Sequence, residues 1–555
     1  MPTISGYAQV RDILWKTEFF SLAGSRKGRA SRSSSSKKII VYAIIGIVAV
    51  AAVSVSMLAR SQPSTTDPQK ESRNRAIEQF QTRFCGDGGQ PDSTQYISEL
   101  VLPSECEMPL AVEVDGETVW YVSTKHGTLG SYSLAGSGFE KEYAIPSWPA
   151  RSSPTAFSMS WAAKADDSGN IWFTDERQNA IWRFNKSTET FDAFRVPANL
   201  PASMDFDSQG NIYFVGVQSR SLFFGNVSEM KNGTSDGITE IPLPLDGFSG
   251  IDKDLITSGS LVIDDTNNDV WVSILAFQQK GQLFRYDVDA GQVDRTVDLP
   301  ADITSPVSMA LDNSGSLWVT DHGTNVFFRY DPASGEITKF VTSVASPRIY
   351  GGTAPPNAYT LPYWIERAPD GSLWFNEHTG NKIARFDPQE LTLVEYWIPS
   401  QNRLWALCPD DAKNCGVANA LQLSVSPDNQ VWFTEWTENK MGTVDADKQL
   451  PFSVDATEEI TVARGDSAEI RVTVNASGDF NGRMIAAGTF TPNAGLGNST
   501  GIFSEESVSV GAGSSKQVSY TFTAAEDLAA GQYIIMIGAS NDDVSYTKAV
   551  RVNIV

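Results

Sequence analysis

The stretch Ser372–Pro388, SLWFNEHTGNKIARFDP, decides the fold. It holds an aromatic strand, a polar loop with Asn381, a second strand and an Asp-Pro turn. Just before it, Asp370-Gly371 supplies a tight turn, because Gly tolerates the positive φ that such turns need. The same register recurs along the chain. Four strong copies pair a Trp with an Asn seven residues later, and three weaker copies centre on one aromatic residue: Trp172/Asn179, Trp318/Asn325, Trp374/Asn381 and Trp432/Asn439, then Trp120, Tyr213 and Trp271.

The seven copies are spaced by 41 to 58 residues. Self-similarity near this period, in segments rich in strands and turns, is typical of a β-propeller. We therefore predict a seven-bladed β-propeller with four strands in each blade. In the fifth unit the innermost strand is 308–312, the Trp strand follows, and the outer strands are 326–330 and 336–340.

The ends of the repeat array predict how the ring closes. Residues 95–103 resemble the outermost strand of a unit, whereas the seventh unit runs into Pro451 without such a strand. We expect the early segment to complete the last blade, because this removes an exposed strand edge.

After the repeats, residues 453–555 alternate apolar and polar residues in short runs that are separated by Gly, Asn and Ser turns. This pattern predicts an immunoglobulin-like β-sandwich. The fold class is therefore all-β, with an N-terminal transmembrane helix. The expected organisation is a basic tail, a signal anchor, a stalk, the propeller and the sandwich: 1–38, 39–58, 59–84, 85–452 and 453–555.

The charge of the chain is uneven. The net charge is -23, yet residues 1–38 carry eight basic and two acidic side chains. The remainder is strongly acidic, which argues against a nucleic-acid partner, because phosphate binding needs clustered Lys and Arg.

Residues 39–58 form a run of 20 residues without a charge. This length spans a bilayer, and the basic residues before it place the N-terminus in the cytoplasm. The alternative, a cleaved signal peptide, would have a shorter apolar core and small residues at the cut. We predict a single-pass cell-membrane protein whose bulk is extracellular, with a short helix in the stalk around 73–84.

Cys85, Cys106, Cys408 and Cys415 all lie beyond this segment, and none forms a C-x-x-C motif. Four cysteines allow three pairings. We expect the local pairs 85–106 and 408–415.

The candidate chemistry lies in the loops that follow the Trp strands. The three histidines, His126, His322 and His378, all fall there, and so do Asp321, Glu377 and Glu435, as well as Asp175 and Glu176. Imidazole and carboxylate groups converging on one funnel can hold a divalent cation or act as general acid and base. We predict His322 and His378 as catalytic residues and Glu435, Glu377 and Asp321 as metal ligands. The alternative is structural: the acids and the repeated Asn cap backbone amides of the next loop.

Two loops before innermost strands are long, 343–363 and 399–420. Long ordered loops are often functional. The second carries Arg403 and Trp405, which suit a ring-bearing, peptide or sugar ligand.

The phrases Leu373-Trp-Phe-Asn-Glu377 and Val431-Trp-Phe-Thr-Glu435, each followed by Asn-Lys, resemble the repeats of virginiamycin B lyases (streptogramin lyases) over roughly 95–450. The resemblance implies a seven-bladed propeller that opens a cyclic depsipeptide by elimination with a magnesium ion. It implies that Glu435 binds the metal, with Glu377 as the second match.

The family's Glu-x-His is absent from this chain. Asn419 and Leu421 stand there in the seventh unit, and Leu361 and Tyr363 stand there in the sixth. A looser analogy with calcium-dependent lactonases implies calcium instead.

Two functions follow from the sequence. One is a lyase- or lactonase-like enzyme that uses Mg or Ca to act on a cyclic ester. The other is a non-enzymatic surface protein that binds a ligand, a glycan or a neighbouring protein.

Overall fold

The structure is a computed structural model that describes residues 68–86, 90–148, 153–344, 347–350, 359–406, 408–409, 412, 415–488 and 495–555. It is dominated by β-strands. One α-helix, α1 (Pro68–Phe84), precedes them and begins earlier than the sequence predicted.

Within the described residues the repeat array forms seven blades of four antiparallel strands; six are separate sheets, and the sheet of blade six extends to nine strands. After β1 (Ile97–Val101), the strands follow in chain order, four to a blade. Blade one has β2 (Pro109–Asp115), β3 (Thr118–Ser123), β4 (Thr128–Ser133) and β5 (Gly138–Ala144). Blade two has β6 (Ala163–Ala165), β7 (Ile171–Asp175), β8 (Ala180–Asn185) and β9 (Thr190–Arg195). Blade three has β10 (Pro201–Phe206), β11 (Ile212–Gly216), β12 (Ser221–Gly225) and β13 (Ile238–Pro242). Blade four has β14 (Ile256–Asp264), β15 (Asp269–Ala276), β16 (Lys280–Asp287) and β17 (Gln292–Asp298).

The remaining blades follow the same plan. Blade five has β18 (Pro306–Leu311), β19 (Leu317–Asp321), β20 (Val326–Tyr330) and β21 (Ile337–Val341). Blade six has β22 (Pro362–Arg367), β23 (Leu373–Glu377), β24 (Lys382–Asp387) and β25 (Thr392–Trp397). Blade seven has β26 (Ala420–Val425), β27 (Val431–Glu435) and β28 (Lys440–Val444).

The ring is closed. Each innermost strand contacts the next one, and that of blade seven, β26, contacts β2 of blade one. The missing outer strand of blade seven is β1, which pairs antiparallel with β28 from Ile97 opposite Val444 to Val101 opposite Lys440. The predicted closure is confirmed, and every aromatic centre of the repeats lies in the second strand of its blade.

The repeated Asn explains why the blades cohere. In each strong copy its side-chain oxygen accepts a hydrogen bond from a backbone N–H in the loop before the next blade, so the predicted capping role is confirmed. The four pairs are Asn179 with Leu200 at 3.0 Å, Asn325 with Thr360 at 2.6 Å, Asn381 with Ala418 at 2.7 Å and Asn439 with Glu107 at 2.7 Å. The last bond crosses the point where the ring closes.

Helix α1 is fixed to the face of the propeller that carries the loops after the second strands. Phe80 and Phe84, four residues apart and therefore on one side of the helix, pack against Phe157. The Trp405 Nε1–H donates to the Arg83 carbonyl at 2.7 Å. A disulfide between Cys85 and Cys106 ties the end of the helix to blade one.

The C-terminal strands form two sheets around a shared buried core that includes Ile470, Tyr520 and Val552. The strands are β29 (Phe452–Ala456), β30 (Glu459–Val462), β31 (Ser467–Ala476), β32 (Phe480–Ala487), β33 (Thr500–Phe503), β34 (Ser507–Val510), β35 (Ser515–Thr523), β36 (Gly531–Ser540) and β37 (Val544–Ile554). One sheet has the order β29-β31-β35-β33. In the other, β37 pairs with β25 of blade six, so this sheet continues a propeller blade. This continuity was not predicted from the sequence.

In the part of the chain that the structure covers, no helix combines the length and the apolar character needed to cross a bilayer. The predicted tail, anchor and most of the stalk, residues 1–67, lie outside the described residues.

Replacing Asn381 by Gly tests the Asn bond. Glycine keeps the left-handed backbone at this position (φ 54°) but removes the amide, which receives the Ala418 N–H and donates to the carbonyls of Ile398 and Ser400. We expect Asn381→Gly to lower the unfolding free energy by about 2–4 kcal/mol, since each buried bond contributes roughly 1 kcal/mol. Urea denaturation of the purified propeller-containing chain measures the loss.

The control is Asn429→Gly, which is also left-handed (φ 65°) and makes an exposed bond to the Asp370 N–H. We expect a loss below about 1 kcal/mol for this variant. Equal losses in the two variants would contradict the role given to Asn381.

Candidate functional site

The innermost strands of six blades begin with a β-bulge. The bulged residues are Leu110 and Ala111 in blade one, Ala202 in blade three, Gly259 and Ser260 in blade four, Val307 in blade five, Tyr363 and Trp364 in blade six, and Leu421 in blade seven. A bulge re-aims the side chains of a strand and is common beside functional sites. Here the bulges ring the central channel on the face that carries the loops after the second strands.

A cavity lies at these bulges, which we call the funnel cavity, with about 780 Å³ of empty space including the part open to solvent. The bulged residues of blades three to five are small, namely Ala202, Gly259 and Val307, and they leave this space. Large residues of the neighbouring blades, Trp161 and Tyr363, bound it. The other lining residues are Glu176, Val217, Thr257, Ser258, Leu275, Phe277, His322 and Trp364.

The two histidines predicted as catalytic lie side by side. The rings of His322 and His378 are nearly parallel, with centroids 5.4 Å apart, and His322 also contacts Tyr363 at 4.7 Å. Burial lowers the pKa of His322 to about 3 and that of His378 to about 4. The expectation that these imidazoles titrate near neutrality therefore differs from the structure, because both are withdrawn from water and stay neutral at pH 7.

The hydrogen-bond network assigns the tautomer of His378. Its Nε2 lies 2.9 Å from Asn419 Oδ1, and the amide nitrogen of Asn419 donates to Thr437 Oγ1 at 3.2 Å, so Nε2 carries the proton.

In both rings Nδ1 has no hydrogen-bond partner in the part of the chain that the structure describes. His322 is 1% exposed, and Ser258 Oγ, also on the cavity wall, has no partner there either. Buried polar atoms are normally paired, and these two belong to residues that line the funnel cavity.

Asp321 performs a structural task. Its carboxylate accepts hydrogen bonds from the backbone of Thr304, Ser305 and Gly323 and from the Thr324 hydroxyl. Burial nevertheless raises its pKa to about 6.

Glu377 belongs to a buried network in blade six. Lys382 Nζ lies 3.3 Å from Glu377 and 2.8 Å from Glu395, and it donates to Ser343 Oγ at 2.6 Å. Burial raises the pKa of Glu377 well above its usual range. Burial would lower the pKa of Lys382, but the two carboxyl groups raise it.

Blade seven repeats this network with a residue from the other end of the propeller. Lys440 Nζ lies 2.8 Å from Glu99 of β1 and donates to Ser400 Oγ at 2.6 Å. Glu435 stands where Glu377 stands in blade six, and burial, followed by the charge of Glu99, raises its pKa. Neither network was predicted from the sequence. In blade seven the reason is that Glu99 lies 336 positions from Glu435 along the chain.

The predicted metal ligands do not come together as a metal centre, because no group of three His, Cys, Asp or Glu residues is placed to hold a metal in the part of the chain that the structure describes. Lys382 pairs with Glu377, and backbone amides occupy Asp321. Both carboxyl oxygens of Glu435 are buried and have no hydrogen-bond partner among the described residues, since Lys440 pairs with Glu99.

The other candidates lie apart from the cavity. His126 follows β3 in blade one, and its backbone N–H donates to Ser123 Oγ at 3.4 Å. Trp405 packs on helix α1, with its ring 5.5 Å from that of Phe84. Arg403 donates to the Pro409 carbonyl at 2.8 Å. Arg403 and Trp405 are therefore engaged within their own region and are not among the residues that line the funnel cavity. The structure also pairs Cys408 with Cys415, as expected.

A second charged cluster lies in the channel beneath the cavity, on the innermost strands. Lys164 Nζ is 3.4 Å from Glu366 Oε1, which also accepts the Trp364 Nε1–H at 3.1 Å. Since Trp364 lines the funnel cavity, this bond joins the cavity to the cluster. Burial raises the pKa of Glu113 to about 7, with Lys164 opposing and Glu366 and Asp205 adding to the rise.

Sequence reasoning missed the aromatic wall, namely Trp161, Phe277, Tyr363 and Trp364. The register of the repeats could have pointed to them, because these residues stand near the start of an innermost strand or directly after a second strand. Which of them face the channel depends on the bulges, which the sequence did not reveal.

Comparisons with known proteins agree with a repeat architecture. Residues 244–354 match a family described as "Repeat of unknown function (DUF6923)". No protein of curated function matches the chain.

Among solved structures, the chain is similar to virginiamycin B lyase from Staphylococcus aureus, with 21% identity over 63% of this chain and 98% of the lyase and a TM-score of 0.47. A streptogramin B lyase structure gives the same identity and TM-score over 97% of its length. Hydrazine synthase of Kuenenia stuttgartiensis is similar at 10% identity, over 64% of this chain and 98% of that one, with a TM-score of 0.44. Likeness at this level carries no activity over to this chain.

Glu113→Gln tests the channel cluster. The unfolded carboxyl titrates near 4.5 and the folded one near 7, so between these values the folded state keeps a proton that the unfolded state has released. The stability that Glu113 contributes must therefore fall as pH rises from about 4.5 to about 7. We expect the variant to gain stability relative to the wild type over this range, as measured by urea denaturation at pH 5 and pH 8.

The control is Glu140→Gln on the exposed outer strand of blade one. The difference in unfolding free energy between Glu140→Gln and the wild type should be the same at pH 5 and pH 8. If the difference between Glu113→Gln and the wild type is also the same at both pH values, the raised pKa of Glu113 is contradicted.

Proposed function

We propose that this chain is a cell-surface protein whose propeller binds a small ring-bearing organic molecule in the funnel cavity. One observation carries the proposal: a cavity walled by Trp161, Phe277, Tyr363 and Trp364 also has polar residues, Glu176, Ser258 and His322, in its lining. Ligand sites are concave and mostly apolar, with a few polar groups that fix orientation.

The sequence supplies the setting of this proposal. The apolar run 39–58 anchors the chain, with the N-terminus in the cytoplasm and the propeller outside. Residues 453–555, as an immunoglobulin-like sandwich, hold the propeller away from the membrane or contact a neighbour.

A second candidate is lyase- or lactonase-like cleavage of a cyclic ester in the same cavity. The neutral imidazole of His322 with its unpartnered Nδ1 favours it, because an imidazole must be unprotonated to accept a proton as a general base. A base works best with a pKa near the working pH, however, and burial holds the pKa of His322 at about 3. Of the acids that the streptogramin lyase resemblance offers to Mg or Ca, Glu377 pairs with Lys382, and Glu435 belongs to no group of three described residues that could hold a metal. Binding is therefore ranked first.

Filling the cavity tests the binding proposal. Ala202 is buried on the cavity wall, and a Trp at this position occupies the space left by the small bulged residues. Aromatic fragments that bind the wild-type chain in ligand-observed NMR should bind Ala202→Trp at least tenfold more weakly.

Val101→Trp, on the exposed side of β1, is the matched control and should bind like the wild type. The proposal is refuted if the fragments bind the wild type, Ala202→Trp and Val101→Trp equally, or if no fragment binds the wild type.

The enzymatic candidate has its own test. Lactones and cyclic depsipeptides are incubated with the wild type and with His322→Phe, with Mg²⁺, with Ca²⁺ or with chelator, and ring opening is followed by mass spectrometry. If ring opening requires His322, the enzymatic function replaces ligand binding as the proposed function. If ring opening also requires Mg²⁺ or Ca²⁺, the metal-dependent mechanism is supported.

A further inference from the structure

We infer that the ring-bearing ligand of the funnel cavity is an organic cation, whose alkylated ammonium group lies against the aromatic wall and beside the Glu176 carboxylate. The inference rests on the proposed binding function and adds the charge of the ligand that the same cavity selects.

Glu176 gives the cavity wall its charge. Among the described lining residues it is the only Asp, Glu, Lys or Arg. It follows β7 directly, and Val217, Phe277 and His322, which follow the second strands of the next three blades, line the cavity as well. This position of the repeat therefore faces the funnel. None of the other six blades has an acid there, the residues being Thr124, Val217, Phe277, His322, His378 and Trp436.

The carboxylate is held in place by the aromatic wall. The Trp161 Nε1–H donates to Glu176 Oε2 at 2.7 Å, and the Trp161 ring lies 6.4 Å from that of Tyr363, edge to face. The backbone N–H of Glu176 donates to the Met159 carbonyl at 3.1 Å. The negative charge therefore has a fixed position on the wall before a ligand arrives, which lowers the ordering cost of binding.

The aromatic side chains supply the surface that a cation contacts. Phe277, Tyr363 and Trp364 are partly exposed and line the cavity. The face of an aromatic ring attracts a cation that comes within about 6 Å of the ring centroid, and quaternary ammonium groups are recognised by several such rings. Among the described residues, no Lys or Arg lies over any of the rings that line the cavity. These ring faces therefore remain for a cation of the ligand.

The positive groups of the described chain do not oppose a cation at this wall. Burial lowers the pKa of His322 to about 3, so this imidazole is neutral at pH 7. Arg177, the residue after Glu176, is exposed and donates to the Phe157 carbonyl at 3.4 Å. Lys164, in the channel beneath, pairs with Glu366 at 3.4 Å. An anionic ligand would lose its hydration here and meet a like charge on Glu176, so anions are disfavoured.

The apolar character of the wall selects an alkylated ammonium among the cations. A primary ammonium carries three N–H donors, and each of them loses a hydrogen bond to water when it enters an apolar site. A quaternary ammonium has no N–H donor and presents methyl groups to the rings. Outside residues 1–38 the chain is strongly acidic, which raises the concentration of cations at its surface.

Ligands of matched shape test the inference. Benzyltrimethylammonium is compared with neopentylbenzene, which has the same shape without the charge, by ligand-observed NMR titration of the wild-type chain at pH 7. We expect the cation to bind at least about tenfold more tightly, because the aromatic faces and the carboxylate act on its charge. Added salt should weaken binding of the cation and leave that of the neutral compound unchanged. Phenylmethanesulfonate serves as the anionic arm and should bind least.

Variants assign the preference to the wall. Glu176→Gln keeps an oxygen that can accept from Trp161 Nε1 but removes the charge, so the preference for the cation should fall at least threefold. Glu140→Gln removes the same charge from the exposed outer strand of blade one and should keep the preference of the wild type. Phe277→Leu removes a ring face and keeps an apolar side chain, so it should weaken binding of the cation more than binding of neopentylbenzene. Thermal melting shows that each variant is folded.

The outcomes separate the two claims. The present inference is overturned, while ring binding stands, if the two ligands of matched shape bind equally or the sulfonate binds most tightly. A preference that survives undiminished in both Glu176→Gln and Phe277→Leu has the same consequence, and so does binding of other aromatic fragments without binding of benzyltrimethylammonium. If no ring compound binds the wild type, the inference and the proposed function fail together.

Discussion

The propeller depends on one hydrogen bond, from a backbone N–H ahead of one blade to the Asn side chain of the blade before it. A blade needs its neighbours because a single four-stranded sheet cannot bury both faces. Asn suits this position for two reasons. It tolerates the left-handed backbone seen at Asn179, Asn381 and Asn439, and its amide can accept from one strand and donate to another. The bond from the Glu107 N–H to the Asn439 side chain joins the two ends of the array. Strand β1, which pairs with β28, and the Asn439 amide therefore both hold the point where the ring closes.

The buried lysines of blades six and seven explain why acids that look like metal ligands in the sequence behave differently in the fold. A buried carboxylate needs a partner, and in each of these blades the Lys that follows the Trp strand supplies it. The same lysine binds a serine from the preceding blade, Ser343 or Ser400, so each network also spans an interface between blades. In blade seven it further holds β1 through Glu99. Glu99 thus contributes to ring closure. The buried atoms without a partner among the described residues include the Nδ1 atoms of His322 and His378 and both carboxyl oxygens of Glu435.

The periodic features of this chain could be read from the sequence. The Trp and Asn spacing predicted the number of blades, the place of the aromatic residues and the capping amide, and the misplaced strand at 95–103 predicted the closure. The cavity could not be read in this way, because it depends on whether the bulged residue of each blade is small, as Gly259 is, or large, as Tyr363 is. Residue types alone placed His322 and His378 in one funnel, but their neutrality depends on burial. The metal hypothesis for Glu377 and Glu435 did not anticipate that Lys382 pairs with Glu377 or that Lys440 pairs with Glu99, which comes from the other end of the repeat array.

The position of the cavity follows from where the propeller is braced. Blade seven is held by β1, blade six continues into the C-terminal sheet through β37, and blades one and two lie under helix α1 with its aromatic cluster. On that side the bulged residues Leu110 and Leu421 are buried in the same apolar core as Phe84 and Trp405. Blades three and four have small bulged residues, Ala202 and Gly259, and both line the cavity, although Ala202 also touches the edge of that core. On the braced side, Trp161 of blade two and Tyr363 and Trp364 of blade six bound the cavity with large rings. A ligand that enters therefore meets aromatic side chains of the braced blades on one side and the space left by small residues on the other.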